Sequence, residues 1–127
     1  MKNTLAALLL FFLCLSASAT HNRAGEITYR QLSLLNYEAT IVTYTKTSSN
    51  IDRPYLELFW GDNSSDSIPR ISQTQVGTDI TKNVYVGTHN YPAPGIYLLH
   101  MEDMNRNGGV INIPNSAPLP VPTMIAV

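Results

Sequence analysis

From residue 27 onward apolar side chains recur mostly at every second position, the period of a strand with one buried face. Helical periodicity is sustained only within the first 19 residues. The pattern predicts strands at 27–34 and 37–45, joined as a hairpin across Leu35-Asn36, and a third at 55–60. A short edge strand at 66–71 is broken by Pro69, which has no N–H to give to a ladder. Further strands follow at 83–89, 96–101 and 110–113. In the second strand Tyr37, Ala39, Ile41 and Thr43 share one face and Glu38, Thr40, Val42 and Tyr44 the other. Neither face is cleanly polar, so either both are partly covered or the outer face is a contact surface. In the third, Leu56, Leu58 and Trp60 form the face expected in the core; in the fifth, Val84 and Val86 are expected to point inward.

Between these runs lie turn-forming residues. Residues 46–53 are a Ser/Thr/Asn loop ending at Pro54, and 61–65 reverse the chain. The polar stretch 73–81 is expected to loop across one end. Pro94-Gly95 has the form of a type II turn, Pro94 presetting the first central residue and Gly95 supplying a positive φ at the second. Pro114, Pro118, Pro120 and Pro122 make 115–127 an extended tail, a last edge strand from 121, or the lead-out to a further domain.

Residues 1–19 read as a secretory signal peptide: Lys2 in the n-region, Leu5–Leu15 as the apolar h-region, and Ala17-Ser18-Ala19 as the cleavage site before Thr20. The apolar run is shorter than the roughly 20 residues a membrane span needs. Cleavage leaves 108 of the 127 residues, enough for one domain with a single core, here residues 20–114. It also removes Cys14, the one cysteine, so the mature chain must hold by packing without disulfides. Of the eight Lys and Arg, Lys2 leaves with the peptide; the seven that remain against nine Asp and Glu give a charge of about −2. That balance contains no basic stripe for nucleic acid and no basic amphipathic helix for a membrane surface.

Two motifs carry a family resemblance. Trp60-Gly61-Asp62 followed by Asn63, together with His89, Tyr91, Pro94, Gly95 and Tyr97 in the spacing His-x-Tyr-x-x-Pro-Gly-x-Tyr, resembles the PKD-type repeat. The resemblance implies an all-β, immunoglobulin/PKD-like antiparallel β-sandwich. Asn63 stands where a second Gly is usual, and Asn tolerates the left-handed region better than other side chains. The start His21-Asn22-Arg23-Ala24-Gly25-Glu26-Ile27-Thr28-Tyr29 is similar to the opening of exported surface proteins associated with gliding motility in Bacteroidota. Those proteins are usually longer, with repeated sandwich domains and a sorting domain. By that likeness the chain is a fragment, a truncated product or a solitary relative, at the cell surface or outside the cell, or in the periplasm without a sorting domain.

Little in the sequence assembles catalysis. His89 sits inside the corner motif, where packing or hydrogen bonding to fix the turn is its expected role, and Asp62 is expected to accept bonds within the Gly61 turn. His100 has no His or Cys at metal-ligand spacing, and there is no Gly-x-Ser-x-Gly elbow or phosphate loop. Asp103, Asn105 and Asn107 match the first half of a calcium loop, but position twelve is Pro114 rather than a bidentate Glu. An Asn-rich turn produces the same letters. Ser67, in Asp66-Ser67-Ile68, is similar to an acceptor for bacterial O-glycosylation and is placed in an exposed turn. Tyr44, Tyr55 and Tyr85 are the tyrosines to examine as an exposed sugar-stacking platform. The expectation is therefore a non-enzymatic exported structural or interaction domain without a cofactor, tied to adhesion or gliding. Its partners would be other domains, surface proteins or polysaccharide. The alternative is a carbohydrate-binding module.

Overall fold

The computed structural model describes residues 22–103 and, as backbone, the strand at 121–126. All regular structure among these residues is β: β1 (Asn22–Gln31), β2 (Asn36–Thr45), β3 (Tyr55–Phe59), β4 (Ser65–Gly77), β5 (Ile80–Asn90), β6 (Leu98–Asp103) and β7 (Val121–Ala126). Every pairing is antiparallel, in the order β1-β2-β5-β4-β3-β6-β7. The two end strands, β1 and β7, approach each other, so the sheet nearly closes like a barrel. Residues 1–21 and 104–120, with the expected signal peptide, the strand at 110–113, Asn105 and Asn107, lie outside the described residues.

β4 is the strand that bends the sheet around. Its first residues, Ser65–Pro69, pair with β3, and from Arg70 onward it pairs with β5. Pro69 sits at the handover, opposite Tyr55. The edge expected from this proline is corrected: β4 is internal to the order. The proline is tolerated because each half of the strand is bonded on one side only, so its missing N–H removes no second ladder. The expected loop at 73–81 is likewise a strand as far as Gly77, and the reversal is confined to Thr78-Asp79 before β5 begins. Arg70–Gly77 is almost wholly exposed, so its sequence carries no alternation to reveal it.

The first hairpin forms as expected, with Ile27 opposite Ile41, but its strands run 22–31 and 36–45 and its turn spans Leu32–Leu35. The turn is closed by Leu32 N–H and Ser33 N–H donating to the Asn36 carbonyl at 2.8 and 3.2 Å. Leu56, Leu58 and Trp60 are buried as their spacing predicts. They join Ile27, Ala39, Ile41, Ile68, Tyr85, Tyr91, Leu99 and Met101 in one cluster fed by β1 to β6. A fully buried aliphatic or aromatic side chain contributes about 1.5–3 kcal/mol relative to exposure, so this cluster is the main source of stability in a chain without disulfides.

The phase of β5 is opposite to expectation. Thr81, Asn83 and Tyr85 are the buried residues, and Val84 and Val86 lie on the half-covered outer face. The inner face of this central strand is polar towards its start because it lines a hydrophilic end of the domain, so the valines do not mark the core. Further along, Gly87 leaves room for Ile68: a Cβ at this position would lie 2.1 Å from the Ile68 Cδ1. Gly87→Ala is expected to lower unfolding stability by about 1–3 kcal/mol through overpacking, read as a reduced urea midpoint. Adding Ile68→Val to Gly87→Ala should recover part of that loss.

Candidate functional site

The corner motif assembles into one cluster in which Trp60, Asp62, His89, Tyr91 and Tyr97 each make a side-chain hydrogen bond. Trp60 ends β3 wholly buried; its backbone N–H donates to the Ser64 carbonyl at 3.0 Å and its Nε1–H to Asp66 Oδ2 at 2.7 Å. The five-residue reversal from Trp60 to Ser64 needs two left-handed residues, Gly61 at φ +87° and Asn63 at φ +71°. Gly61 is further constrained because a Cβ there would stand 2.5 Å from the backbone N of Leu98. Asn63 occupies the left-handed region that the motif requires of it.

Asp62 ties this turn to the far strand. Its Oδ1 accepts from Ser64 N–H at 3.1 Å and from the Ser64 hydroxyl at 2.5 Å; its Oδ2 meets His89 Nε2 at 2.7 Å. An ionised carboxylate only accepts, so His89 carries its proton on Nε2. The His89 ring lies flat on the Trp60 indole, 4.8 Å between centroids and 12° between planes, and meets Tyr91 edge-on at 4.7 Å. The Ser64 hydroxyl, and His89 after it, hold the Asp62 carboxyl down at about 2, against the opposing pull of burial. Tyr91 is buried, donates to the Trp60 carbonyl at 3.0 Å and stacks on Tyr97 at 4.0 Å. Burial pushes its phenol up to about 12, with the Asp62 charge adding to the shift.

The corner itself departs from expectation at Gly95, whose φ is not in the left-handed region; among the described glycines only Gly61 has that conformation. A Cβ at Gly95 would meet the Tyr97 ring carbons at 3.4 Å, an ordinary contact, so space does not require a glycine there. The corner is closed by Tyr97, which donates its hydroxyl to the Ala93 carbonyl at 2.8 Å. In front of it, Pro94, Gly95, Tyr91, Tyr97, Tyr37 and the Leu34-Leu35 turn surround a groove of about 170 Å³. Tyr37 meets Tyr91 edge-on at 5.6 Å and lies tilted against the half-exposed Tyr29 at 6.4 Å, so the rings continue outward to the surface.

A second cavity, about 150 Å³, opens at the other end of β2, β5 and β6. Its walls are hydroxyl, amide and charged groups, among them Thr43, Thr81, Asn83, Gln73, Arg70 and Asp103. Asn83 is buried at its centre: Oδ1 accepts from Gln73 Nε2 at 3.1 Å, and Nδ2 donates to Thr45 Oγ1 at 3.0 Å. Arg70 forms a two-pronged pair with Asp52, with Nη2 donating to Oδ2 at 2.9 Å. The alternation Thr81, Asn83, Tyr85 is the signal for this cavity, masked by the expectation of a loop through Thr81 and of Val84 and Val86 on the inner face.

The remaining candidates are dispersed. Tyr55 is 60% exposed, Tyr44 is half-buried and Tyr85 is 1% exposed with its hydroxyl donating to the Arg53 carbonyl at 2.7 Å. Tyr85 is therefore no part of an exposed platform: its ring belongs to the core, because its strand runs in the opposite phase. Ser67 is exposed but sits in β4 opposite Glu57 rather than in a turn, and Asp66 beside it is engaged by Trp60. Asp103 is buried; its carboxylate accepts from Asn22 Nδ2 at 3.2 Å and lies 3.7 Å from Arg53 Nη2. His100 stacks on Phe59 at 4.6 Å. Among the described residues, no three His, Cys, Asp or Glu converge as a metal site. Comparison of the chain with protein-family models, with curated proteins and with solved structures yields no match.

The depressed Asp62 fixes the sign of an acid dependence. Its carboxylate stabilises the fold above the ordinary value of 3.8, and that contribution is lost as pH falls towards about 2. Acid titration of stability should show a loss of at most about 2 kcal/mol in this window, flattened in Asp62→Asn. Tyr91 acts with the opposite sign, its contribution being lost above pH 10 as the pH rises through about 12.

Proposed function

We propose that the chain is an exported, non-catalytic structural or interaction domain of a bacterial surface protein, with an immunoglobulin-like, PKD-type sandwich fold. The observation that carries this reading is the use made of His89 and Asp62. These are the groups of the motif best suited to proton transfer, and they are bonded to each other, with the His89 ring held between Trp60 and Tyr91 and Asp62 bonded to Ser64, so both are spent on holding a corner.

The strand order supports the sandwich. β1, β2, β5 and the second half of β4 run in the order A-B-E-D of immunoglobulin-like domains, and β3, β6 and β7 in the order C-F-G. The Tyr97 hydroxyl bond to a carbonyl four residues upstream, just before β6, has the form of the tyrosine corner at the E–F junction of such domains. The buried Trp60 ends the strand equivalent to C. Export, adhesion and gliding association are supported by the signal-like residues 1–19 and the Gly25-Glu26-Ile27-Thr28-Tyr29 start.

A carbohydrate-binding module is the second reading, favoured by the hydroxyl- and amide-lined cavity around Asn83. Produced with its full sequence in a bacterial host, the exported protein is expected to begin at Thr20 by mass spectrometry. An uncleaved cytoplasmic product would overturn the export reading. On a polysaccharide panel the second reading predicts saturable binding weakened about tenfold by Gln73→Ala; flat isotherms would remove it.

A further inference from the structure

The groove in front of the corner is walled by segments that carry no formal charge. Neither the first turn with its flanks, residues 31–37, nor the corner segment, residues 90–99, contains an Asp, Glu, Lys or Arg. Apolar side chains stand out of this surface: Leu34 is 82% exposed and Ile96 90%, with Leu32 and Tyr29 nearly half exposed. Ile96 adjoins Tyr97, and Leu32 and Leu34 belong to the turn that walls the groove. An exposed leucine on the wall of an aromatic groove, with further exposed apolar side chains in the same two segments, is the arrangement of a docking surface rather than of isolated exposed residues.

The lining chooses the occupant. Tyr91 is buried beneath Tyr97 and forms the base of the groove, while Tyr37 and Tyr97 are partly exposed; the Tyr97 hydroxyl is engaged by the Ala93 carbonyl, so what Tyr97 offers an occupant is chiefly ring surface. A sugar needs hydrogen-bonding groups to orient its hydroxyls, and the side chains here are Tyr, Leu, Pro and Ala. A charged peptide would find no counter-ion on the rim. An extended, uncharged segment with proline and aliphatic residues loses no ion hydration on docking, and its pyrrolidine rings are flat enough to lie on tyrosine.

We propose that this groove, walled by Leu34, Leu35, Tyr37, Tyr91, Pro94 and Tyr97, binds an uncharged proline-rich segment of a partner protein in the polyproline II conformation. This rests on the reading of the domain as an interaction module and names the surface and partner class it would use.

The test is an NMR titration of the full mature chain with the capped nonapeptide (Pro-Leu-Pro)₃, beside capped (Ser-Gly-Ser)₃. Saturable shifts at Tyr37, Tyr91, Tyr97 and Leu34 with the first peptide alone are expected. Leu34→Ser, at a side chain outside the core, should weaken binding about tenfold. Ser67→Ala, at an exposed β4 side chain that takes no part in the groove, should bind like wild type. Four results overturn the proposal: no saturation at millimolar peptide, shifts centred elsewhere, equal affinity of wild type and Leu34→Ser, or concentration-dependent self-association through this end that Leu34→Ser abolishes. The last would identify a second copy as the occupant. Processing at Thr20 is measured separately, so an inert groove leaves the export reading standing while removing this one.

Discussion

The bond between the Asp62 carboxylate and the His89 imidazole joins two reversals of the chain that are 27 residues apart. Each partner is held from a second side. Ser64 bonds the other oxygen of Asp62 and fixes the turn after β3, while Trp60 and Tyr91 grip the His89 ring across its face and edge. The turn after β3 and the end of β5 therefore form as one unit. A partly buried carboxylate stabilises a fold only where its oxygens are hydrogen-bonded, and here the imidazole, backbone and hydroxyl donors meet that condition. The aromatic stack above the pair limits water access and strengthens the interaction.

Much of this corner was legible in the chain because its requirements are local. A turn that demands left-handed backbone selects Gly61 and Asn63, an acidic residue just after the first of them serves as acceptor, and strict alternation exposes Leu56, Leu58 and Trp60 as a buried face. The first hairpin was visible for the same reason. Its exact turn was not, since Leu32–Leu35 contains no Gly or Pro to mark it and is closed by the Asn36 carbonyl.

What stayed hidden depends on distant partners. Tyr85 looks like any strand tyrosine until β2 and β4 flank it and turn it inward, and Val84 and Val86 mislead because hydrophobic character marks the core only where the core is apolar. The length of β4 could not be read because its second half is bonded to β5 while exposed on both faces, so no periodicity records the pairing. Gly95 shows a subtler limit: a Pro-Gly pair suggests a type II turn, yet this glycine does not take the left-handed φ that such a turn requires. The groove is invisible for a like reason, because Leu34 and Pro94 are far apart in the chain and meet only through the register of β2 with β5.

β4 belongs to both portions of the sheet, and this shapes how the domain comes apart. Stripping β5 away would strand one half of β4, and stripping β3 away the other, so neither portion has a complete set of ladders alone. The chain should melt as a single cooperative unit, with the slowest-exchanging amides gathered on both flanks of that shared strand rather than confined to one subdomain.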